Sequence, residues 1–261
     1  MSKTHIVIPI GVGAPGTPVQ EYLEKSVMSI LKQTSKDFVL TIAADNNIPD
    51  RCKDFLEKNN VTIKWFEPFT YFRKGGIWKK IFDTWKEYDT EFVAFCHYDD
   101  IWDLSKLEIQ TRKMLDEQLD GSWSESYIID GNSNIIGPSD YSWGELTKNT
   151  VGNRTMAFAH TTIVSREKLW NSGILEHEMN WAANFEDIWA LYIHKIKNIK
   201  KAVGAKFFWR NHDKNISNTV REEVEFVINQ RNETAYSLSE TFQDMHSIRF
   251  QTIVDNIKTQ Y

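Results

Sequence analysis

The sequence is poor in most of the features that would assign a chain at a glance. Only two cysteines, Cys52 and Cys96, occur in 261 residues, which excludes a disulfide framework and every cysteine-based metal spacing. That scarcity fits a reducing, cytoplasmic setting. No stretch approaches the ~20 apolar residues of a membrane span, and the apolar run in the first ten residues, broken by Pro9, is too short for a signal peptide. Basic excess is missing as well. With 31 Lys and Arg against 36 Asp and Glu the formal net charge is −5, so nucleic acid has no cationic footprint to meet. An anionic ligand would need a local cation or a metal. Linkers, low-complexity runs and internal repeats are also absent. What is present is an ordinary soluble composition, 41% hydrophobic and 26% charged, in a chain long enough to form one α/β domain with a sizeable core. The ten tryptophans are an unusual load.

The segment Ile6–Gly16 sets an apolar run before Gly11-x-Gly13-x-x-Gly16, the glycine spacing of a dinucleotide-binding loop. In that motif the helix starts inside the glycine turn, so that its first N–H groups meet the pyrophosphate. Here Thr17-Pro18-Val19-Gln20 reads as a capping box with Pro at the first helical position, and the apolar period Val19, Leu23, Val27, Ile30 begins only there. Pro15 occupies a position where free backbone donors are wanted, and the first acid that could follow a second strand is Asp45. The glycines therefore read as a flexible loop after the first strand, and a nicotinamide-dependent oxidoreductase is disfavoured.

Strand and helix signals alternate through the first hundred residues. Strands are expected near Thr4–Ile10, Phe38–Ala44, Val61–Phe66 and Glu91–Cys96, and helices near Pro18–Lys32, Asp50–Lys58 and Gly75–Glu87. Such alternation builds a parallel sheet whose ligands lie beyond the carboxyl ends of the strands. The second half is mixed: a helix over Leu104–Glu117, a hairpin of Ser126–Ile129 and Asn134–Gly137 around Asp130-Gly131-Asn132, an extended segment Met156–Val164, a helix Glu186–Lys197 and a strand Ala202–Trp209. From about Val220 the spacing is helical to the end. That tail either packs on the domain or offers a seam for a homodimer.

The most informative segment is Glu91–Trp102, EFVAFCHYDDIW. A buried strand that delivers two adjacent acids at its carboxyl end presents hard oxygen ligands over the ligand crevice. Mg²⁺ and Mn²⁺ favour carboxylate oxygens and fill the rest of their shell with water and substrate phosphates. Asp99 and Asp100 therefore suit a metal–diphosphate site, although Asp is equally at home in a solvated turn or a helix cap. Cys96, inside the strand, reads as a small buried hydrophobe.

Taken in order, the motifs resemble those of a family 2 glycosyltransferase of the GT-A fold, from about Ile6 to Ser217. Ile6-Val7-Ile8-Pro9, then Glu21–Ser26 and Ser29–Thr34, are similar to the opening strand and first helix; Ala43–Asn47 stands after the second strand; Arg73-Lys74-Gly75-Gly76-Ile77 resembles an Arg-Asn-x-Gly-Ile segment; and His97-Tyr98-Asp99-Asp100 stands at the DxD motif. Asn184-Phe185-Glu186-Asp187, 88 positions after Asp99, resembles the Glu-Asp pair that carries the catalytic base, and Trp209-Arg210-Asn211-His212 resembles the Arg-x-His segment that approaches the diphosphate.

The resemblance implies an inverting enzyme with a Rossmann-like donor half (1–102), an acceptor and catalytic-base half (103–218) and a helical extension (219–261), all within one domain. It implies Asp187, with Glu186, as the catalytic pair. The donor contacts would be Pro9, Ile10, Asp45 (to a uracil ring), Arg73, Gly76, His97, Tyr98, Asp99 and Arg210. Mn²⁺ or Mg²⁺ would sit at Asp99, with Asp100 and His212 as helpers. His160, Trp181 and Trp189 would line the acceptor side, with specificity in the loops around Ser139–Asn153 and Trp170–Trp181. The implied partners are a UDP-sugar and a glycan or lipid-linked glycan, which would draw a cytoplasmic enzyme to the inner membrane face.

The physics accommodates these roles. Inverting transfer needs a base for the acceptor hydroxyl, and an acid at a helix start is kept ionised by backbone N–H groups, although first-turn acids also occur for the dipole alone. Trp102, Trp143, Trp181 and Trp189 could stack on sugars, but each taken singly reads as core before ligand platform. His212 could likewise be purely structural. Two departures stand out. The family's Pro-x-Tyr-Asn after the first strand is replaced by the Gly11–Gly16 loop, and His97 replaces the first Asp of DxD. A catalytically silent nucleotide-sugar-binding protein is therefore one alternative. A sugar nucleotidyltransferase is another, but it would carry Arg and Lys among the glycines, and neither is there.

Overall fold

The alternation of the first hundred residues folds as a parallel half-sheet, and the second half extends the same sheet with mixed strand directions. A computed structural model describes residues 3–11, 18–67, 76–138, 159–174, 196 and 198–212. In chain order the elements are β1 (Thr4–Ile10), α1 (Val19–Leu31), β2 (Phe38–Asp45), α2 (Asp50–Lys58), β3 (Thr62–Phe66), α3 (Gly76–Trp85) and β4 (Phe92–Phe95). These are followed by β5 (Ile101–Trp102), α4 (Lys106–Asp116), β6 (Gly121–Ile129), β7 (Ile135–Pro138), a 3₁₀ turn (Ala159–Thr161), β8 (Thr162–Ser165), α5 (Arg166–Asn171) and β9 (Ile199–Arg210).

The nine strands lie in one sheet of order β3-β2-β1-β4-β8-β6-β9-β5, with β7 paired to β6 as a hairpin. β1 runs parallel to β2 and β4, and β2 parallel to β3. β8 is antiparallel to both β4 and β6, β9 is parallel to β6, and β5 is antiparallel to β9. The chain is thus mixed α/β around a central sheet.

β1 is buried along its whole length, because its alternating side chains face two different layers. Ile6, Ile8 and Ile10 join Val19, Leu23, Val27 and Ile30 of α1 in one core, while Val7 joins Trp78, Ile81, Phe82 and Trp85 of α3 in the other. Trp85 anchors the second core. Its ring meets Phe82 and Phe95, and its Nε1 donates to the Ala94 carbonyl at 3.2 Å.

Several boundaries differ from expectation. Helix α1 begins at Val19 with Pro18 as its N-cap and no side-chain cap bond there; Thr17 lies outside the described residues. The extended segment expected over 156–164 is, where described, a 3₁₀ turn that feeds β8. Strand β9 is longer than its apolar core. Trp123 pairs with Lys201 but Glu125 pairs with Lys206, so a bulge of 202–205 opposes Ser124, and Gly204 takes the positive φ of 89° that the bulge requires. The helix expected over 186–197 and the tail beyond 219 lie outside the described residues. Among the described residues no helix is long and apolar enough to cross a membrane.

Candidate functional site

Parallel pairing brings the carboxyl ends of β1, β2 and β4 to one edge of the sheet, and with them Ile10, Asp45 and the turn 97–100. The turn is pinned to α1. Ser26 Oγ donates to the His97 carbonyl at 3.0 Å, the Asp100 N–H donates back to the same carbonyl at 3.3 Å, and Ser29 Oγ accepts from the Trp102 N–H at 3.1 Å. Serines on a buried helix face look like weak helix formers in the sequence. In the fold they tie the acidic turn to α1.

Asp99 and His212 meet at this edge, with Asp99 Oδ2 and His212 Nε2 separated by 3.5 Å. Asp100 points the other way. It is buried, its Oδ1 accepts from the Arg210 N–H at 2.9 Å, and its Oδ2 has no hydrogen-bond partner among the described residues. Burial, reinforced by the charge of Asp99, pushes the Asp100 carboxyl well above the usual carboxylate range. Adjacent ligands of one octahedral ion stand about 3 Å apart, which the Asp99–His212 separation of 3.5 Å approaches, so this pair has the spacing of two of such an ion's ligands. Among the described residues no cluster of three or more His, Cys, Asp or Glu could hold a metal. A bound ion would need ligand oxygens to complete its shell, as Mg²⁺ and Mn²⁺ commonly do with phosphates.

Arg210 closes the site from beneath. Its guanidinium is buried; Nε donates to the Asp99 carbonyl at 2.7 Å, and Nη1 to the carbonyls of Asp130 and Gly131 and to Ser133 Oγ at 2.9, 3.0 and 3.0 Å. The cation lies over the Tyr22 ring, 4.5 Å from its centroid, and the same ring meets His212 at 5.1 Å. Tyr22, Asp130, Gly131 and Ser133 were not among the residues singled out from sequence. The one signal was the Asp130-Gly131-Asn132 turn, read only as a hairpin.

Of the residues expected to meet the donor, Asp45 ends β2 as a buried carboxylate ion-paired with Lys80 of α3. Burial lowers the Lys80 pKa and Asp45 opposes that fall. Pro9 and Ile10 offer this edge chiefly backbone, because both are buried and the Ile10 side chain is committed to the core. Gly76 opens α3. Tyr98 packs partly buried against the first core.

His97 and His160, read from sequence as donor and acceptor residues, are neighbours. Their rings lie 5.7 Å apart, Phe95 meets both edge-on, and His160 stacks at 4.6 Å on Phe207. Trp102 takes the core reading of the two that the sequence left for it. It is 1% exposed and carries the Lys106 ammonium 3.6 Å from its ring centroid, so it is core and not a sugar platform. Arg73, Trp143, Trp181, Glu186, Asp187 and Trp189 lie outside the described residues, as do the loop positions 139–153 and 175–181.

The architecture has solved counterparts. S. aureus TarS 1–349 in complex with UDP-GlcNAc matches 91% of this chain and 66% of its own at a TM-score of 0.66 and 16% identity. TarS 1–349 in complex with UDP matches 88% and 65% at 0.62 and 16%. The fold is therefore that of the GT-A glycosyltransferases. The family described as Glycosyl transferase family 2 matches residues 18–173, well over half of the chain, and the chain belongs to that family. A curated relative, the UDP-Glc:alpha-D-GlcNAc-diphosphoundecaprenol beta-1,3-glucosyltransferase WfgD of Escherichia coli, is 26% identical over 159 residues, covering 59% of this chain and 61% of that protein. The chain thus spans between 61% and 66% of the length of these similar proteins.

Proposed function

We propose that the chain is an inverting glycosyltransferase that moves one sugar, with a UDP-sugar as donor, to a hydroxyl of a glycan or lipid-linked glycan. The observation that carries this reading is the meeting of Asp99 and His212 at 3.5 Å beyond the strand ends, in a chain of family 2. The donor and acceptor named for the relative, UDP-Glc and a GlcNAc-diphosphoundecaprenol, are the first pair to test. A lipid-linked acceptor would bring a cytoplasmic enzyme to the inner face of the membrane for bacterial surface-polysaccharide synthesis.

In this mechanism the acceptor oxygen attacks the anomeric carbon from the face opposite the diphosphate. The Asp187 carboxylate, with Glu186 beside it, takes the hydroxyl proton, and the breaking C–O bond leaves its electron pair on the nucleoside diphosphate. Asp99 and His212, with Asp100 behind them, would hold Mn²⁺ or Mg²⁺, which when bound stabilises charge on the departing diphosphate. Asp45, held by Lys80, faces the base; His97, Tyr98, Arg73 and Gly76 border the donor; His160, Trp181 and Trp189 border the acceptor.

Calorimetric titration of UDP with and without Mn²⁺, on the intact protein and on Asp99→Ala, tests the donor site. Binding that needs both the metal and Asp99 supports it, and no binding in either condition removes it. Asp187→Asn should lower transfer by about 10²–10⁴-fold with UDP binding retained. Unchanged turnover would take Asp187 out of the mechanism, and UDP-sugar binding with no transfer to any acceptor would favour a silent binding protein.

A further inference from the structure

The two donors read as the divalent-ion site, Asp99 and His212, come from chain segments more than a hundred positions apart. Something must set their separation, and the structure contains a reciprocal pair of bonds suited to it. The acidic turn gives a side chain to the other segment's backbone, since Asp100 Oδ1 accepts from the Arg210 N–H at 2.9 Å. The other segment returns a side chain to the turn's backbone, since Arg210 Nε donates to the Asp99 carbonyl at 2.7 Å. Each bond joins Asp99 itself or its neighbour Asp100 to Arg210, two positions before His212. The first is buried, and the second, part-buried, is charge-assisted through the guanidinium, the class of hydrogen bond that holds geometry best.

The hairpin turn makes the clasp stiffer. Asp130 caps its own loop by accepting from the N–H groups of Asn132 and Asn134, both at 2.8 Å, and from Asn134 Nδ2 at 2.9 Å. That preformed loop presents two carbonyls and the Ser133 hydroxyl to Arg210 Nη1. Tyr22 covers the cation from α1. A Cβ on Gly131 would come within 3.2 Å of the Tyr22 hydroxyl, so the glycine lets the turn close against the helix.

We propose that Arg210 is a positioning residue. Together with Asp100 and the Asp130–Asn134 turn it fixes Asp99 against His212, and it does not serve as a contact to the donor's diphosphate. The proposal rests on reading Asp99 and His212 as the ion site, but the clasp itself is a property of the metal-free chain.

Two measurements on the full chain separate these layers. Hydrogen–deuterium exchange without metal compares wild type with Arg210→Lys and Ser133→Ala. Faster exchange is expected over 98–102 and 130–134 in Arg210→Lys, and a smaller rise over the same segments in Ser133→Ala. Calorimetry of UDP with and without Mn²⁺ should then show the metal-dependent gain in affinity cut by about 10–100-fold in Arg210→Lys, the usual effect of removing a group that orients a metal ligand. Affinity for UDP alone should be unchanged. If metal-free UDP binding falls as far as the Mn²⁺ gain, Arg210 touches the diphosphate and the proposal is overturned. Exchange identical to wild type overturns it as well. Should wild-type binding ignore Mn²⁺, the ion-site reading fails, and the exchange data alone decide whether the clasp exists. If Arg210→Lys does not fold, the same comparison is made with Ser133→Ala.

Discussion

Lys106 buries an ammonium group in the first core, fully covered, with no hydrogen-bond partner among the described residues and with the Trp102 face beside it. Burial brings its pKa down from 10.5 to about 7, against a smaller opposing effect of Cys96. At ~1.4 kcal/mol for each tenfold step in proton affinity that fall corresponds to about 5 kcal/mol of lost stability where the lysine is charged in both states. The unfolded chain keeps its lysine protonated up to its ordinary pKa near 10.5, while the folded chain releases the proton from about 7 upward. Between those values the unfolded state binds more protons, so this group makes stability rise with pH. Lys106→Met fills a similar volume with no charge and abolishes the effect. Urea unfolding of both proteins at about pH 6.5 and about pH 9.5 should show the variant's lead over wild type larger at the lower pH than at the higher by about 3 kcal/mol. A gap that does not change with pH would refute this account of Lys106.

Two further substitutions test the packing around the site. Asp45→Ala removes the carboxylate that holds the buried Lys80 ammonium and should cost about 3–5 kcal/mol in chemical denaturation, with much of the loss recovered in the double variant Asp45→Ala, Lys80→Met; a loss below about 1 kcal/mol would mean that the pair is not structural. Trp85→Ala should cost about 3–5 kcal/mol because it empties the centre of the second core and takes the indole donor from the Ala94 carbonyl, whereas Trp85→Phe should cost clearly less; equal losses would put the hydrogen bond ahead of the packing.

The parallel half of the sheet was legible because local signals suffice for it. Apolar runs four to eight residues long, separated by amphipathic helices, admit few other arrangements. The acidic turn could be found for the same reason, since it stands where a parallel strand must end. What could not be read were features decided by partners distant in the chain. β5 is two residues long and exists only as a mate for β9. Lys106, which follows Asp103, Leu104 and Ser105, looks like a solvated first-turn residue, yet the fold buries it over the Trp102 ring. Arg210 carries a motif that points toward a diphosphate, but its partners Asp99, Asp130 and Ser133 lie 77 to 111 positions away. A charge pattern read along one chain cannot say which of two anionic or carbonyl-rich neighbours a guanidinium will choose.

The position of β8 has a consequence for synthesis of the chain. This four-residue strand is the wedge between β4 and β6, antiparallel to both, yet it emerges more than thirty residues after β6. While the ribosome is still translating the segment between them, β1 to β4 can already pair, and the outer side of β4 stays a bare row of backbone donors and acceptors. Such an edge invites a second nascent chain to add a strand of its own. Fragments that stop short of residue 162 should therefore aggregate from the side of β4, and those that reach just past Ser165 should gain solubility abruptly.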